Sequence, residues 1–422
     1  MSVVEKNPEF FNYQLDVILS LEKGFYRLSS SKILDCFFIE DIFSYNIFGK
    51  MIFRDDEGIF EIGPFTGNEA IMIAYSIGDG KEVKLPFNIW KVSEISQQSD
   101  VDASAGSLIE IEFVDISFNV LFLRKFSRSW PVKTLYSDVA YYILDKVGLL
   151  KDIGVDIVVE ESLNKIEREP LAFPYWTVMD SIKYLSKRIV SKEMKTSGYL
   201  CYTSIVEEKR TMNYRSMNWL LSDKNKKDED EYMFYNEDRN YKNRIYEYSI
   251  NGTDNICHRV IRGGKWLGYD FDTKSFLTYD SLYKDELKET TVLGKYSLFH
   301  DIDSEEVTNK LIGERSQNAL KYYANAEWQY RYNKQNLVSI TVLGNQEREV
   351  GTQIKISKWV NYDHDDTGNS LLKGKFLIKT IKHILARRSQ PSYSQQLVLI
   401  KNGYEDVQSK MLVKSTKRNL IT

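Results

Sequence analysis

The sequence predicts a β-rich α+β fold, with two antiparallel β-barrel domains and mixed α/β insertions. Three observations carry that expectation. Aromatic residues make up 13% of the 422, with 28 Tyr, 21 Phe and 7 Trp against only 7 Pro, a balance that suits pleated, half-buried strands rather than disorder. From about residue 10 to 130, apolar residues recur with a period of two between glycine-bearing turns. After Trp130-Pro131 the period becomes helical, and beyond about residue 336 it returns to two.

The elements follow in order. Ser30 to Phe43 and Phe48 to Ile62 read as a strand pair with a turn at Asp55-Asp56-Glu57-Gly58. Gly67 to Ile77 and Lys81 to Trp90 flank Gly78-Asp79-Gly80, where glycine supplies the positive φ of a tight hairpin. Leu108, Glu110 and Glu112 alternate with Ile109, Ile111 and Phe113, so one face of that strand is apolar and the other carries carboxylates. A first helix is expected from a Thr134 cap through Leu135, Val139, Tyr142, Ile143 and Val147 to Gly148. A second starts at Thr177, with Asp180 three residues on and Val178, Ile182, Leu185 and Ile189 forming its stripe. The polar run Ser222 to Glu231 reads as a solvated loop, and Ile245 to Ile250 as a strand. The longest helix is expected from Ser304 through Val307, Leu311, Leu320, Tyr323 and Ala324. Four further strands, Leu337 to Leu343, Thr352 to Trp359, Lys375 to Ala386 and Gln395 to Lys401, complete a second small barrel. The expected division is 1–133 for the first barrel, 134–232 for a mixed α/β domain, 233–256 with 336–405 for the second barrel, 257–335 for an insertion with the long helix, and 406–422 for a tail.

Charge and cysteine usage exclude several classes. Lys and Arg number 57 against 60 Asp and Glu, a net −3, so the whole chain is no polycation built to neutralise phosphates. Cys36, Cys201 and Cys257 match neither a disulfide framework nor a paired metal-ligand spacing, and read as buried thiols. No basic start with an apolar run suggests export, and no apolar run approaches the ~20 residues of a spanning helix. A soluble protein made in a reducing cytosol is expected.

No residue set demands catalysis. The four histidines, His258, His300, His364 and His383, lack metal-ligand spacing, and His383 reads as a packed strand residue. Asp363-His364-Asp365-Asp366 offers hard oxygens and a nitrogen, but Thr367-Gly368-Asn369-Ser370 makes it an exposed loop that forms without a metal. Gly263-Gly264-Lys265 lacks the hydroxyl residue and the helix of a phosphate loop, so a tight turn is the better reading. Glu110 and Glu112 read as a solvated face rather than a carboxylate pair. The cluster Tyr322, Tyr323, Trp328, Tyr330, Arg331 and Tyr332 runs around much of a helix, which suits a wedge between elements or subunits better than a base-stacking platform. Lys410, Lys414, Lys417 and Arg418 form a solvated basic end. No catalytic, cofactor-binding or metal residue is assigned, and no cofactor or enzyme activity is expected.

The order of elements resembles a known family. Leu337-Val338-Ser339-Ile340-Thr341-Val342-Leu343-Gly344 with Val350-Gly351-Thr352-Gln353-Ile354-Lys355-Ile356 looks like the paired strands of the baseplate hub family of contractile-tailed bacteriophages. Gly374 to His383, then a Ser/Pro loop, then Tyr393 to Gly403, matches the family's strand ending in His answered by a strand starting in Tyr. Phe126 to Pro131, Pro174 to Thr177 and the helix from Ser304 fall in the same order, so most of the chain is covered. The resemblance implies two tube-like barrels per subunit, a homotrimer whose six barrels make a pseudo-hexameric ring, and partners in the tail tube, central spike, baseplate wedge and tape measure proteins. It also implies a place in the virion tail baseplate after assembly in the host cytoplasm, with DNA passing during ejection without specific binding and with no membrane insertion. No appended lysozyme or oligosaccharide-binding domain is seen, so a separate spike protein is expected. Two rivals stand beside this reading. The 56 aromatic residues also suit a carbohydrate-active or receptor-binding tail protein, and Asp363 to Asp366 could belong to a nucleic-acid enzyme of a phage.

Overall fold

The computed structural model describes residues 13–59, 65–77, 81–95, 107–167, 170–225, 231–233, 243–250, 265–270, 274–280, 317–333, 338–358, 374–387 and 390–400. Seven strands come first: β1 (Tyr13–Leu21), β2 (Gly24–Leu28), β3 (Ile33–Asp41), β4 (Phe48–Asp55), β5 (Ala70–Ile77), β6 (Val83–Ile95) and β7 (Ser107–Asp115). The mixed segment follows with α1 (Phe118–Phe122), β8 (Lys125–Trp130), α2 (Tyr136–Tyr142), β9 (Val155–Val159), β10 (Leu171–Thr177), α3 (Val178–Ser186), β11 (Tyr199–Val206), β12 (Lys209–Ser216) and α4 (Met217–Leu221). Next are β13 (Glu231–Met233), β14 (Ile245–Ile250), β15 (Lys265–Asp270), β16 (Ser275–Asp280) and α5 (Gln317–Asn333). The last strands are β17 (Val338–Leu343), β18 (Gln353–Lys358), β19 (Gly374–Arg387) and β20 (Gln390–Ile400). The fold is a β-rich α+β fold dominated by antiparallel pairing, as the sequence predicts.

The strands at the two ends of the chain share one sheet. Among the described residues 13 strands join it, in the order β14-β17-β20-β19-β3-β4-β7-β6-β5-β1-β2, with β18 against β19 and β13 against β18. The junction is β19 with β3, where Thr380 faces Asp41 and His383 faces Phe38. This sheet wraps two separate cores. The first is built on inward residues such as Val17, Phe38, Met51, Ile73, Phe87, Ile111 and Phe113, and the second on Val338, Ile340, Ile356, Phe376, Leu397 and Leu399. β19 and β20 serve both: Ile378, Ile381 and Leu397 lie in the second core, whereas Leu385, Ala386 and Tyr393 lie in the first. A strand of 14 residues is long enough, at about 3.3 Å per residue, to cross from one core to the other.

Local patterns hold where period and chemistry agree. On β7, Ile109, Ile111 and Phe113 are buried, while Glu110 and Glu112 meet Lys50 at 2.6 Å and Lys91 at 3.7 Å. β5 and β6 pair antiparallel around residues 78–80, which lie outside the described residues. The turn expected at Asp55 to Gly58 does not separate β3 from β4. β3 reverses at residues 42–47 instead, and β4 ends at Asp55, whose Oδ1 accepts from Glu57 N at 3.3 Å and Ile59 N at 2.9 Å. Aspartate here competes with the strand ladder by binding its own downstream backbone.

The mixed segment has its own core, built on Val139, Ile143, Leu144, Ile182, Leu185, Met212 and Tyr214. β12 lies between β11 and β9, antiparallel to the first and parallel to the second, and β8 pairs with β10. Thr177 caps α3 as expected, its Oγ1 accepting from Asp180 N at 3.0 Å. Thr134 does not cap α2: the cap position is Leu135, and Thr134 Oγ1 donates to Pro131 O at 2.8 Å. The hydroxyl closes the Pro131 turn and is unavailable to the helix. α2 continues into a π-helical turn over Ile143–Val147, and Gly148, with φ −73°, follows without a left-handed cap.

The helix expected from Ser304 is described from Gln317, and residues 304–316 lie outside the described residues. Leu320 and Ala326 are buried, Tyr330 Oη donates to Ser186 O at 3.1 Å, and Ser197 Oγ donates to Tyr322 O at 2.7 Å. α5 thus packs onto the mixed segment through Tyr330 and the Tyr322 backbone. Among the described residues no helix is long and apolar enough to cross a membrane.

Candidate functional site

The inward faces of β3, β19 and β20 each carry one polar residue among hydrophobes. Glu40 follows Cys36 and Phe38, His383 sits between Ile381 and Leu385, and Gln395 between Tyr393 and Leu397. Because β19 pairs with both other strands, His383 lies opposite Phe38 on one side and Gln395 on the other. The three polar side chains therefore meet where the sheet passes from one core to the other.

They form one buried network. His383 Nε2 is 2.7 Å from Glu40 Oε1, and His383 Nδ1 is 2.9 Å from Tyr393 Oη. Gln395 Nε2 donates to Tyr393 Oη at 2.9 Å and to Asn345 O at 2.9 Å. Arg348 donates to Gln395 Oε1, and also to Leu343 O at 3.0 Å, Tyr232 Oη at 2.8 Å and Asn243 Oδ1 at 3.2 Å. Glu40 Oε2 accepts from Ile205 N at 2.8 Å, which brings in β11 of the mixed segment. Phe38 stacks on the imidazole with 4.2 Å between ring centroids. Glu40 is 0% and His383 3% exposed. Burial raises the Glu40 carboxyl above its ordinary range, opposed by the hydrogen bond and charge of His383 and by the Ile205 amide.

A carboxylate, an imidazole and a phenol in a row could in principle relay a proton. At this depth the arrangement does something else: it fixes the two cores and the mixed segment to one another, because separating any pair would strand a buried polar group. A second tie acts at a distance from it. Arg210 on β12 donates to Asp115 Oδ1 at 2.6 Å and to Pro86 O at 2.6 Å, with the pair 5% and 0% exposed, while Ser117 Oγ donates to Asp115 Oδ2 at 2.7 Å. Both ties join segments far apart in the chain.

The residues weighed for chemistry are scattered. His383 is packed as expected, and is also hydrogen-bonded on both nitrogens. Glu110 and Glu112 face lysines on the outside of the sheet. Lys265 opens β15, whereas Gly263 and Gly264 lie outside the described residues, as do Asp363 to Asp366, His258, His300, Cys257 and the basic end. Tyr330 is half-buried, with its hydroxyl donating to Ser186 O, and Tyr323 Oη accepts from Lys187 Nζ at 3.2 Å. The side chains of Trp328, Arg331 and Tyr332 lie outside the described residues. Cys36 and Cys201 are buried free thiols, each pushed up to about 12 by desolvation. Among the described residues no group of three or more His, Cys, Asp or Glu is placed to hold a metal ion. Glu40, Gln395, Arg348 and the Arg210–Asp115 pair were not anticipated, although a polar residue at an inward strand position was a visible signal for Glu40 and Gln395.

Solved structures match this fold along nearly the whole chain. The tail protein from Neisseria meningitidis MC58 is 12% identical, covers 92% of this chain and 97% of its own, and superposes with a TM-score of 0.55. The chain has the fold of phage tail proteins. The 43 kDa tail protein of prophage MuSo2 from Shewanella oneidensis is likewise 12% identical, with 92% and 98% covered and a TM-score of 0.52. No protein-family model and no curated protein sequence matches the chain. The resemblance read from its order of strands and helices is therefore met at the level of the fold.

Proposed function

We propose that the chain is the structural baseplate hub of a phage tail. Three copies form a ring in which two cores per copy supply six similar units, so one rim matches the hexameric tail tube and the other receives the trimeric central spike. DNA passes through during ejection. One observation carries the reading: a single sheet wraps two cores and is pinned where it crosses between them by Glu40, His383, Gln395 and Arg348. A ring that alternates the two halves of each subunit needs them held at a fixed angle, and a buried, fully bonded network does this better than an apolar joint, which can slide. The net charge of −3 suits a channel that must release duplex DNA, since a cationic lining would retain it. Wedge and tape measure proteins would meet the outer and upper surfaces, and the role is non-enzymatic.

Light scattering on the purified chain, followed by cryo-electron microscopy of its complex with tube and spike proteins, tests the proposal. The expected result is a trimer that appears as a ring of six similar densities. A strict monomer that binds neither protein would overturn it.

A further inference from the structure

Two β-bulges lie on either side of α1, and each turns an aromatic side chain out to solvent. On β6 the register against β7 shifts between Ile89 and Lys91, which leaves Trp90 at the bulge, 58% exposed. On β10 the register against β8 shifts between Phe173 and Trp176, and Tyr175 in the gap has φ 55° and is 70% exposed. A left-handed backbone costs a bulky residue on the order of 1 kcal/mol or more, and bulges commonly re-aim a side chain.

Between them α1 completes a ridge. Trp90 and Phe118 have ring centroids 4.9 Å apart, Phe118 and Phe122 are stacked at 4.7 Å, and Leu123, just after the helix, is 65% exposed. Arg124 and Lys125 follow directly, and Val178 N donates to Arg124 O at 3.2 Å, which ties this stretch to the start of α3. Lys125 Nζ stands 5.4 Å from the Tyr175 ring, and Lys183 Nζ 5.8 Å from that of Phe122. Among the described residues Arg124, Lys125 and Lys183 make no ion pair, unlike Lys50, Lys91 or Lys187, which meet Glu110, Glu112 and Glu327. No Asp or Glu occurs between Asp115 and Asp138, and the nearby Asp180 carboxylate accepts the Thr177 hydroxyl at 2.6 Å.

We propose that this ridge, with Trp90, Phe118, Phe122, Leu123 and Tyr175 rimmed by Arg124, Lys125 and Lys183, is a docking surface for an acidic protein segment bearing apolar anchor residues. Single exposed hydrophobes are common, but Trp, Phe, Leu and Tyr side chains gathered beside cations that make no ion pair among the described residues have the composition of an interface hot spot. Charge complementarity selects an acidic occupant, because a cationic rim that makes no ion pair among the described residues repels basic partners and steers acidic ones. The apolar anchors favour protein over nucleic acid, whose affinity would need a longer track of cations. The proposal goes beyond the hub reading and does not depend on subunit number.

The test is fluorescence anisotropy of the full chain with a labelled amphipathic peptide built of Glu and Leu, beside a Lys/Leu peptide of the same pattern and a labelled DNA duplex. The expected result is binding of the Glu/Leu peptide alone, weakened by salt. The doubly substituted Trp90→Ala, Tyr175→Ala chain and the triply substituted Arg124→Gln, Lys125→Gln, Lys183→Gln chain should each lose about tenfold or more in affinity. Phe25→Ala, an 80% exposed aromatic on β2, should leave it unchanged. The triple substitution alters only exposed cations, so a melting curve like that of the unsubstituted chain separates lost binding from lost folding. Unchanged affinity in both altered chains, equal or tighter binding of DNA or of the Lys/Leu peptide, or no binding of the Glu/Leu peptide at all would each overturn the proposal. Self-association abolished by the substitutions, with the peptide unbound, would assign the ridge to contact between copies instead.

Discussion

Replacing His383 with Leu should be among the most damaging single changes in the described residues, for electrostatic rather than volumetric reasons. Leucine fills most of the space against Phe38, and Tyr393 Oη keeps the Gln395 donor at 2.9 Å. Glu40, however, loses its 2.7 Å partner while remaining 0% exposed, and retains only the Ile205 amide. Stranding one member of a buried pair costs about 3–5 kcal/mol. Replacing both residues, in Glu40→Leu/His383→Leu, removes this ionisable pair together and leaves one unsatisfied amide, at about 1–3 kcal/mol. The double change should therefore be milder than the single one, and Glu40→Gln, whose carbonyl can still accept from the Ile205 amide while its NH2 donates to His383 Nε2 in the tautomer protonated at Nδ1, milder still at about 1 kcal/mol.

The pH dependence has a definite sign. Burial already raises the Glu40 carboxyl, with His383 opposing the rise. Without His383 it rises further, so the protonated form is favoured in the folded state. The stability tied to that proton is present at low pH and is lost as pH rises through the raised value. The deficit of His383→Leu should thus be largest near neutrality and shrink on acidification toward the ordinary carboxylate range. Urea midpoints followed by tryptophan fluorescence at about pH 7 and about pH 5 measure it. A deficit under about 1 kcal/mol, a double change worse than the single one, or a deficit that grows on acidification would refute the reasoning.

Other expectations follow from the same structure. Arg210→Ala strands the buried Asp115 and should cost about 3–5 kcal/mol, whereas Arg27→Ala, whose partner Asp16 is 2.7 Å away but whose own side chain is 70% exposed, should shift the urea midpoint barely at all. Gly351→Ala places a methyl against the Tyr202 ring at φ 80° and should cost about 2 kcal/mol or more in the same assay, through strain and displacement together. Thr177→Ala removes the α3 cap and should cost about 1 kcal/mol, while Thr134→Ala should cost less because that hydroxyl closes a turn and caps no helix; thermal melts followed by circular dichroism compare the two.

The legible parts of the fold were those set by neighbours in the chain. Alternation on β7, the Thr177 cap with Asp180, and the strands from Val338 to Ile400 were all readable, because each depends on side-chain period or on a hydroxyl three residues from an amide. The errors were local competitions decided by tertiary context. Thr134 had two acceptable partners and took Pro131 O, and Asp55 closed a bend after β4 rather than a hairpin inside a strand pair. The bulges at Trp90 and Tyr175 left no mark in the sequence, since a bulge is a property of two strands together.

The sequence by itself determined which faces of the strands are apolar and that the described core would be rich in antiparallel pairs, whereas the core of the mixed segment takes in Leu121 and Trp130, ahead of the expected start at residue 134. Only the tertiary structure decided that both halves share one sheet, and that Glu40 and His383, 343 residues apart, meet at its joint. The physical reason is range. Side-chain direction follows from the geometry of each residue and its nearest neighbours, whereas the partner of a strand is chosen by the whole chain as it buries two cores at once.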